Sequence, residues 1–354
     1  MRCHALSIRH RPMSRRRNDP GAVTLHAVAA RAGVSAMTVS NVINRTGRAS
    51  ADTRARVLSA IEALGYVPNP SARRLTGAQV ACVGLICPDV DSVFLERMLA
   101  GVAFVAAECG VQLKIEAAAN LSHDKTYEIA QGLVGKGAQA LLLVPPFAEI
   151  LGGDPHVSRL EVPIAAIATA HALPHIATIR IDNRSAARAV TERVLAQGRR
   201  RIAVLSGPLR HSDSVARLEG YRDALLEREV PVDPALCIAC DFTFASGLAA
   251  ARHLLGLPDR PDAIVAGNDD MAAAVLWTAH QSGLALPRDL SVTGFDDTAL
   301  ATRVWPPLTT VRQPVRAMAA AAMEYLARAL RDPGCAREGH DTVLPFEVID
   351  RASV

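Results

Sequence analysis

Beyond Gln79, short apolar runs alternate with longer amphipathic segments, and this alternation restricts the fold more than any other feature of the chain. The runs ACVGLIC, VQLKIEA, ALLLVP, IAAIA, ATIRI, RIAVLSG, LCIACD, AIVAG and LSVTGFD have the length and composition of strands. Helical stretches separate most of them: FLERMLAGVAFVAAECG, about 124–136, Ser185–Gln197, Ala216–Arg228, Ser246–Leu255 and Met271–Ser282. Strands joined through helices pair in parallel rather than as hairpins, so the expectation is an α/β core, most economically two doubly wound sheets.

With 354 residues and half of them apolar, the chain can bury a large core and is expected to divide into two or three compact units. No apolar run approaches the roughly 20 residues that span a membrane, and residues 1–22 lack the apolar stretch of a secretory signal, so a cytoplasmic location is expected. Cysteines at 3, 82, 87, 109, 237, 240 and 335 do not form a disulfide framework. Cys237 and Cys240 share a strand-like run in which residues three apart face opposite ways, which argues against a metal or redox pair. Neither a nucleophile elbow, a phosphate loop nor a zinc-protease motif is present; Gly135-Lys136 is followed by Gly137, not a hydroxyl. No catalysis, cofactor or metal is expected, and Asp296-Asp297, adjacent at a strand end, should diverge.

The segment Val23–Gly77 has a different character. Thr24 can cap a helix with Leu25, Val28, Ala29 and Ala32 at helical spacing, and Gly33 permits a sharp turn. Ser35 can cap a second helix that buries Val39, Val42 and Ile43, leaving Ala36, Met37, Ser40, Asn41 and Asn44 on or near the other face. A third helix, about 50–64, carries Val57, Leu58, Ile61 and Leu64 as its expected apolar stripe. This is a helix-turn-helix unit, unless it is a bundle with no nucleic-acid role. Charge favours the former: residues 1–77 hold 13 Arg, no Lys and three acids, a net +10, whereas the whole chain is +4 and the remainder therefore −6. Pro68 to Gly77 then reads as a short helix, with Asn69 suited to its cap, Pro70 to its first position and Gly77 to its stop. At under two turns it is expected to order only against a twin and a DNA surface.

This stretch resembles the DNA-binding head and hinge of the LacI/GalR family of bacterial transcription repressors. It carries V-T-L, A-G-V-S, T-V-S, V-x-N, T-R, L-G-Y-x-P-N and A-x-x-L-x-G in the family's order and spacing. The resemblance implies that Ala36, Met37 and Asn41 read bases in the major groove, and that Leu75 wedges into the central base step from the minor groove. Ser35, Thr38, Ser40, Asn44, Arg45 and Arg54 are expected at phosphates, with Thr24, Asn69 and Ala72 completing the DNA-contacting set. Asn41 and Ala27 depart from the family's usual Arg and Asp, so operator preference does not carry over from relatives.

The rest of the chain is similar to the family's effector-binding core, itself like periplasmic sugar-binding proteins. The markers include Pro88-Asp89, Ile181-Asp182-Asn183, Arg217-Leu218-Glu219-Gly220-Tyr221, Asn268-Asp269-Asp270-Met271-Ala272 and Gly294-Phe295-Asp296-Asp297. The expected organisation is a basic tail (1–22), a head (23–67), a hinge (68–78) and a core (79–354). Within the core, an N-subdomain takes about 79–180 and 312–333, and a C-subdomain about 181–311 and 340–354. Ligands of such sheets bind beyond the carboxyl ends of the strands. Ser92, Phe94, Arg217, Phe242, Asn268 and Asp296 follow strands there and are the candidates for the effector; the resemblance implies that Arg217, Asn268 and Asp296 bond ligand hydroxyls and that Phe242 walls a sugar ring, with His211 and Asp213 in the same loop as secondary candidates. Structural roles compete: Asp296 as a turn cap, Arg217 in an interior ion pair, Phe242 as core. The expected partners are a near-palindromic double-stranded DNA operator, a small polar effector of the sugar class, and a second copy in a homodimer or tetramer, with no membrane. A purine-type effector, stacked on Phe242, and a sugar receptor without a DNA role are the alternatives. Leu75→Ala is expected to weaken operator binding far more than nonspecific DNA binding in parallel gel-shift titrations; equal losses would contradict the wedge role.

Overall fold

The computed structural model describes residues 24–43, 49–64, 66, 81–89, 92–118, 122–154, 156–332 and 340–354. The tail, Asn44, Arg45 and the hinge residues Asn69, Ala72 and Leu75 lie outside them. The chain divides into two compact units, Met1–Gln79 and Val80–Val354.

The first unit contains α1 (Leu25–Ala32), α2 (Ala36–Ile43) and α3 (Ala51–Leu64). Thr24 caps α1 through a hydrogen bond from the Ala27 amide, and Gly33, at φ 64°, ends it in the left-handed region that a side chain would disfavour. Val28, Ala29, Ala32, Val39, Val42, Val57 and Ala60 form the core of this unit. The expected stripe of α3 is corrected at one place: Leu58 is 54% exposed. The face runs through Val57, Ala60, Ile61 and Leu64, and Leu58 sits about 100° around the helix from Val57.

The second unit is built on two parallel sheets. The larger has the strand order β11-β5-β4-β3-β1-β2. Its strands are β1 (Cys82–Pro88), β2 (Gln112–Ala118), β3 (Ala140–Leu143), β4 (Ile164–Ile167), β5 (Ala177–Arg180) and β11 (Asp341–Val343). The helices α4 (Val93–Cys109), α5 (His123–Gly135) and α6 (Phe147–Gly152) follow β1, β2 and β3, and α11 (Val315–Arg331) returns to this sheet late in the chain. Alternation along β1 separates its two faces: Val83, Leu85 and Cys87 pack with α4 and α11, while Ile86 packs with Leu133, Leu141 and Phe147.

The smaller sheet has the order β7-β6-β8-β9, from β6 (Ile202–Ser206), β7 (Cys237–Ala239), β8 (Ala263–Ala266) and β9 (Ser291–Thr293). It is flanked by α7 (Asn183–Ala196), α8 (Ser212–Glu227), α9 (Phe244–Leu255) and α10 (Asp269–Gln281). A two-stranded antiparallel ribbon joins β10 (Thr310–Arg312) to β12 (Glu347–Ile349). Cys237 and Cys240 join packing clusters on opposite faces of the smaller sheet, and burial pushes the Cys240 thiol up to about 11. Among the described residues no helix is long and apolar enough to cross a membrane.

Two expectations about the core change. Residue 340 was expected to open the return to the smaller sheet, but Asp341–Val343 pairs in parallel with β5 of the larger one. Arg180 grips Asp341 through two bonds of 2.8 Å, and Thr178 adds a third at 2.7 Å, so the crossing comes after Leu344. The helical runs also begin earlier than apolar spacing indicated: α8 starts at Ser212 rather than Ala216, because its first turn is polar.

The helices α7 and α8 approach so closely that a Cβ on Gly220 would collide with the Arg184 carbonyl oxygen. The next residue, Tyr221, is fully buried and donates to the Ile202 carbonyl at 2.7 Å. Gly220→Ala should therefore force the pair apart and cost about 1–3 kcal/mol, read as a lowered midpoint in urea denaturation.

Candidate functional site

On the head, Ser35 accepts a hydrogen bond from the Thr38 amide at 3.1 Å, and their hydroxyls meet at 2.8 Å, so both are engaged in starting α2. Val39 and Val42 point inward; Met37 is 71% exposed, Arg54 is exposed, and Ala36, Thr38, Ser40 and Asn41 are half-buried. The outward face of α2 thus combines one projecting thioether with small and amide side chains.

In the core, a cavity of about 210 Å³ opens between the carboxyl ends of the two sheets. All six residues expected at an effector line it: Ser92, Phe94, Arg217, Phe242, Asn268 and Asp296, as do His211 and Asp213. Ser92, Phe94 and Asn268 stand at helix starts, Phe242 and Asp296 beyond strand ends, and Arg217 in the second turn of α8. Ser92 caps α4, accepting from the Leu95 amide at 3.4 Å. Asn268 caps α10, accepting from the Met271 amide at 2.9 Å while donating to the Phe242 carbonyl at 2.8 Å. Phe242 and Asp296 hold φ values of 70° and 106°, left-handed conformations costing on the order of 1–3 kcal/mol each for such residues.

Arg217 organises the inner wall. Its Nε donates to Asn183 Oδ1 at 2.9 Å and one terminal nitrogen to the Gly267 carbonyl at 2.7 Å. Asp213 lies 3.3 Å away and Asp296 4.0 Å, and the guanidinium stacks 3.8 Å from the centre of the Phe295 ring. Burial drives the Asp296 carboxyl well above the carboxylate range; Arg217 and the 2.7 Å bond from Gln313 oppose that rise, and Asp269 adds to it. Asp269 is itself raised to about 6 by burial, against hydrogen bonds from Thr310 and Thr298. Asp297 turns away. Burial works to raise its carboxyl, but Arg351 at 2.5 Å and Arg312 at 2.7 Å outweigh it and hold it below the ordinary value. The adjacent pair thus diverges, as its position at a strand end implied.

Two sets of bonds join the halves of the core outside the cavity. Arg97 of α4 donates to the Asp297 carbonyl at 2.8 Å, and the Ser212 hydroxyl meets the Glu149 carboxylate while accepting from the Ala170 amide at 3.1 Å. Sequence reasoning gave no site role to Asn183 or Gln313, nor to the apolar wall formed by Leu95, Met98 and Val144. Asn183 stood in a quoted motif, and a polar residue opening the helix just beyond a strand was the available signal; the apolar wall is indistinguishable from core in sequence.

Removing the guanidinium would leave Asp213 and Asp296 buried without a counter-charge. Arg217→Met is expected to cost about 3–5 kcal/mol at pH 7. In the variant the Asp296 carboxyl, already raised by burial, loses the charge of Arg217 that lowers it and rises further, so the folded form binds more protons and the deficit shrinks as pH falls toward 5. Urea denaturation at the two pH values checks this; a deficit independent of pH would contradict it.

Residues 24–69 match the family model of bacterial regulatory proteins of the lacI family, and residues 191–354 match that of a periplasmic binding protein-like domain. Catabolite control protein A of Priestia megaterium is 33% identical over 313 residues, covering 86% of this chain and 92% of the relative. Among solved structures, a transcriptional regulator CelR-cellobiose complex aligns with a TM-score of 0.68 at 31% identity, covering 94% of this chain and all of that one. The lac repressor dimer bound to operator and an anti-inducer aligns at 0.69 and 26% identity, covering 94% and 99%. Helix-turn-helix head, paired parallel sheets and full-length relatives agree: the chain is a DNA-binding transcription regulator and belongs to the LacI family of bacterial regulatory proteins.

Proposed function

We propose that the protein is a cytoplasmic repressor that binds a near-palindromic operator as a homodimer and releases or tightens its grip when a sugar-class effector occupies the core cavity. The observation that carries this is the convergence of Arg217, Asn268, Asp296, Phe242, Ser92 and Phe94 on one enclosed space between two sheets. Support also comes from the relatives, one solved with cellobiose and another as a dimer on operator. In this reading Met37, Ala36 and Asn41 face base edges, where the first two offer apolar contact to a thymine methyl and Asn41 can pair with adenine. The hydroxyls of Thr24, Ser35, Thr38 and Ser40, together with Arg54, set register on phosphates. Arg45 and Asn44, with the hinge residues Asn69, Ala72 and Leu75, complete the surface.

The control is linkage rather than catalysis. An effector shifts operator affinity only by the difference between its affinities for the DNA-competent and DNA-incompetent arrangements. In this scheme Asp296 faces the effector, and Asp297, held by Arg351 and Arg312, anchors the loop that presents it.

Footprinting across the protein's own upstream region, with and without candidate sugars and purines, tests the proposal. A protected near-palindrome whose occupancy changes with a sugar is expected. Raising salt should reduce affinity with a log–log slope of about −0.9 per neutralised phosphate. Occupancy that ignores every small molecule, or a flat salt response, would overturn it.

A further inference from the structure

We propose that the contact between Glu149 and Ser212 is a proton-controlled latch between the two halves of the core, held when the carboxyl carries a proton and loosened when it is charged. The latch does not depend on what the cavity binds. Glu149 stands on α6, which follows β3 of the larger sheet, and Ser212 opens α8 beside the smaller one. The Ser212 hydroxyl donates to Oε1 of Glu149 and accepts from the Ala170 amide at 3.1 Å, so it gives and takes a hydrogen bond across the seam. Ala170 is held in turn, its carbonyl accepting from Arg180 at 3.1 Å. One small side chain of the smaller half is thus plugged into a socket that the larger half builds from a carboxyl and an amide.

The socket suits a neutral carboxyl. Oε2 of Glu149 is buried with no hydrogen-bond partner. A carboxylate spreads its charge over both oxygens, so one of them bare in the interior penalises the charged form far more than the neutral one. Burial accordingly raises the carboxyl, hydrogen bonds from Ser212 oppose the rise, and Asp213 adds to it. The N-terminus of α8 favours negative charge beside its first residue, but Asp213 in its first turn already answers it. A swing of the halves that broke this contact would give the carboxyl back to water and to its ordinary range. The closed seam therefore binds the proton more tightly than the open one: its advantage is complete below the ordinary value and is lost as pH rises through the raised one.

The other charged groups near the contact are largely committed elsewhere. Asp182 and Arg184 at the start of α7, His171 and Arg210 in the flanking loops, and Glu219 on α8 line the same outer groove as Glu149 and Ser212. Asp182 accepts from the Ser185 amide and hydroxyl, Arg184 is engaged by Asp223 and Glu219, and Asp213 by Arg217. On α5, which packs on α6, Lys125 pairs with Glu128, and His123 shares Asp154 with His156 beyond the end of α6. These histidines also titrate near neutrality, so the carboxyl has to be isolated by substitution.

The test is amide hydrogen exchange on the full-length protein without ligand, followed at Ala170 and corrected for the intrinsic pH dependence of exchange. The unaltered protein should exchange there about threefold or more slowly at pH 5 than at pH 7.5. Glu149→Gln, neutral at both values and of the same shape, should be slow at both, and it leaves His123, His156 and His171 in place. Ser212→Ala, which removes the plug, should be fast at both. Unchanged protection of α10, which lies in the smaller half, shows in each case that the fold is intact. Exchange at Ala170 that ignores pH in the unaltered protein would overturn the proposal. So would a Glu149→Gln variant that keeps the parent's pH dependence or is fast throughout, or a Ser212→Ala variant that behaves as the parent does.

Discussion

The buried guanidinium of Arg217 is the interaction on which the core's geometry depends. It rises from α8 and in one plane reaches the first residue of α7, the carbonyl after β8 and the carboxylate after β9. Those are separate strand ends, and no apolar side chain could fix their relative heights with directional bonds. The cost of burying the charge is offset by two carboxylates and two hydrogen bonds, with the Phe295 ring beneath it. An ion in this state contributes little net stability, so its value lies in setting the shape of the inner wall.

Around that centre the wall is held by groups that each have two tasks. Asn268 starts α10 with its oxygen and pins Phe242 with its nitrogen. Asp269 spends both oxygens on Thr298 and Thr310, drawing the segment after β9 against β10. The loop that presents Asp296 is thus tied to the sheet before any ligand arrives, which keeps small the ordering cost of binding.

Much of this was legible in the sequence because period and charge carry it directly. The runs beyond Gln79 announced parallel strands, and the Arg-rich head against an acidic remainder announced a polyanion partner for one part only. The six residues singled out for an effector do line one cavity. What period could not show was anything decided by polar contacts across the chain. The three residues of β11 are placed by Arg180 and Asp341, which lie far apart in sequence and alternate with nothing nearby. Leu58 misled for the opposite reason: it is apolar beside a buried valine, and only the helical rotation shows that it faces outward. The apolar half of the cavity wall was invisible because Leu95, Met98 and Val144 read identically whether they face a ligand or a core.

The late return of the chain has a mechanical consequence. The polypeptide passes between the two sheets three times: after β5, between β9 and α11, and between β11 and β12. Three short connectors act like parallel straps on a book spine, permitting the covers to twist or swing through small angles while forbidding them to slide apart. A movement of one cover against the other, were the space between them filled, would then be a turn about that spine within the slack of the three connecting segments.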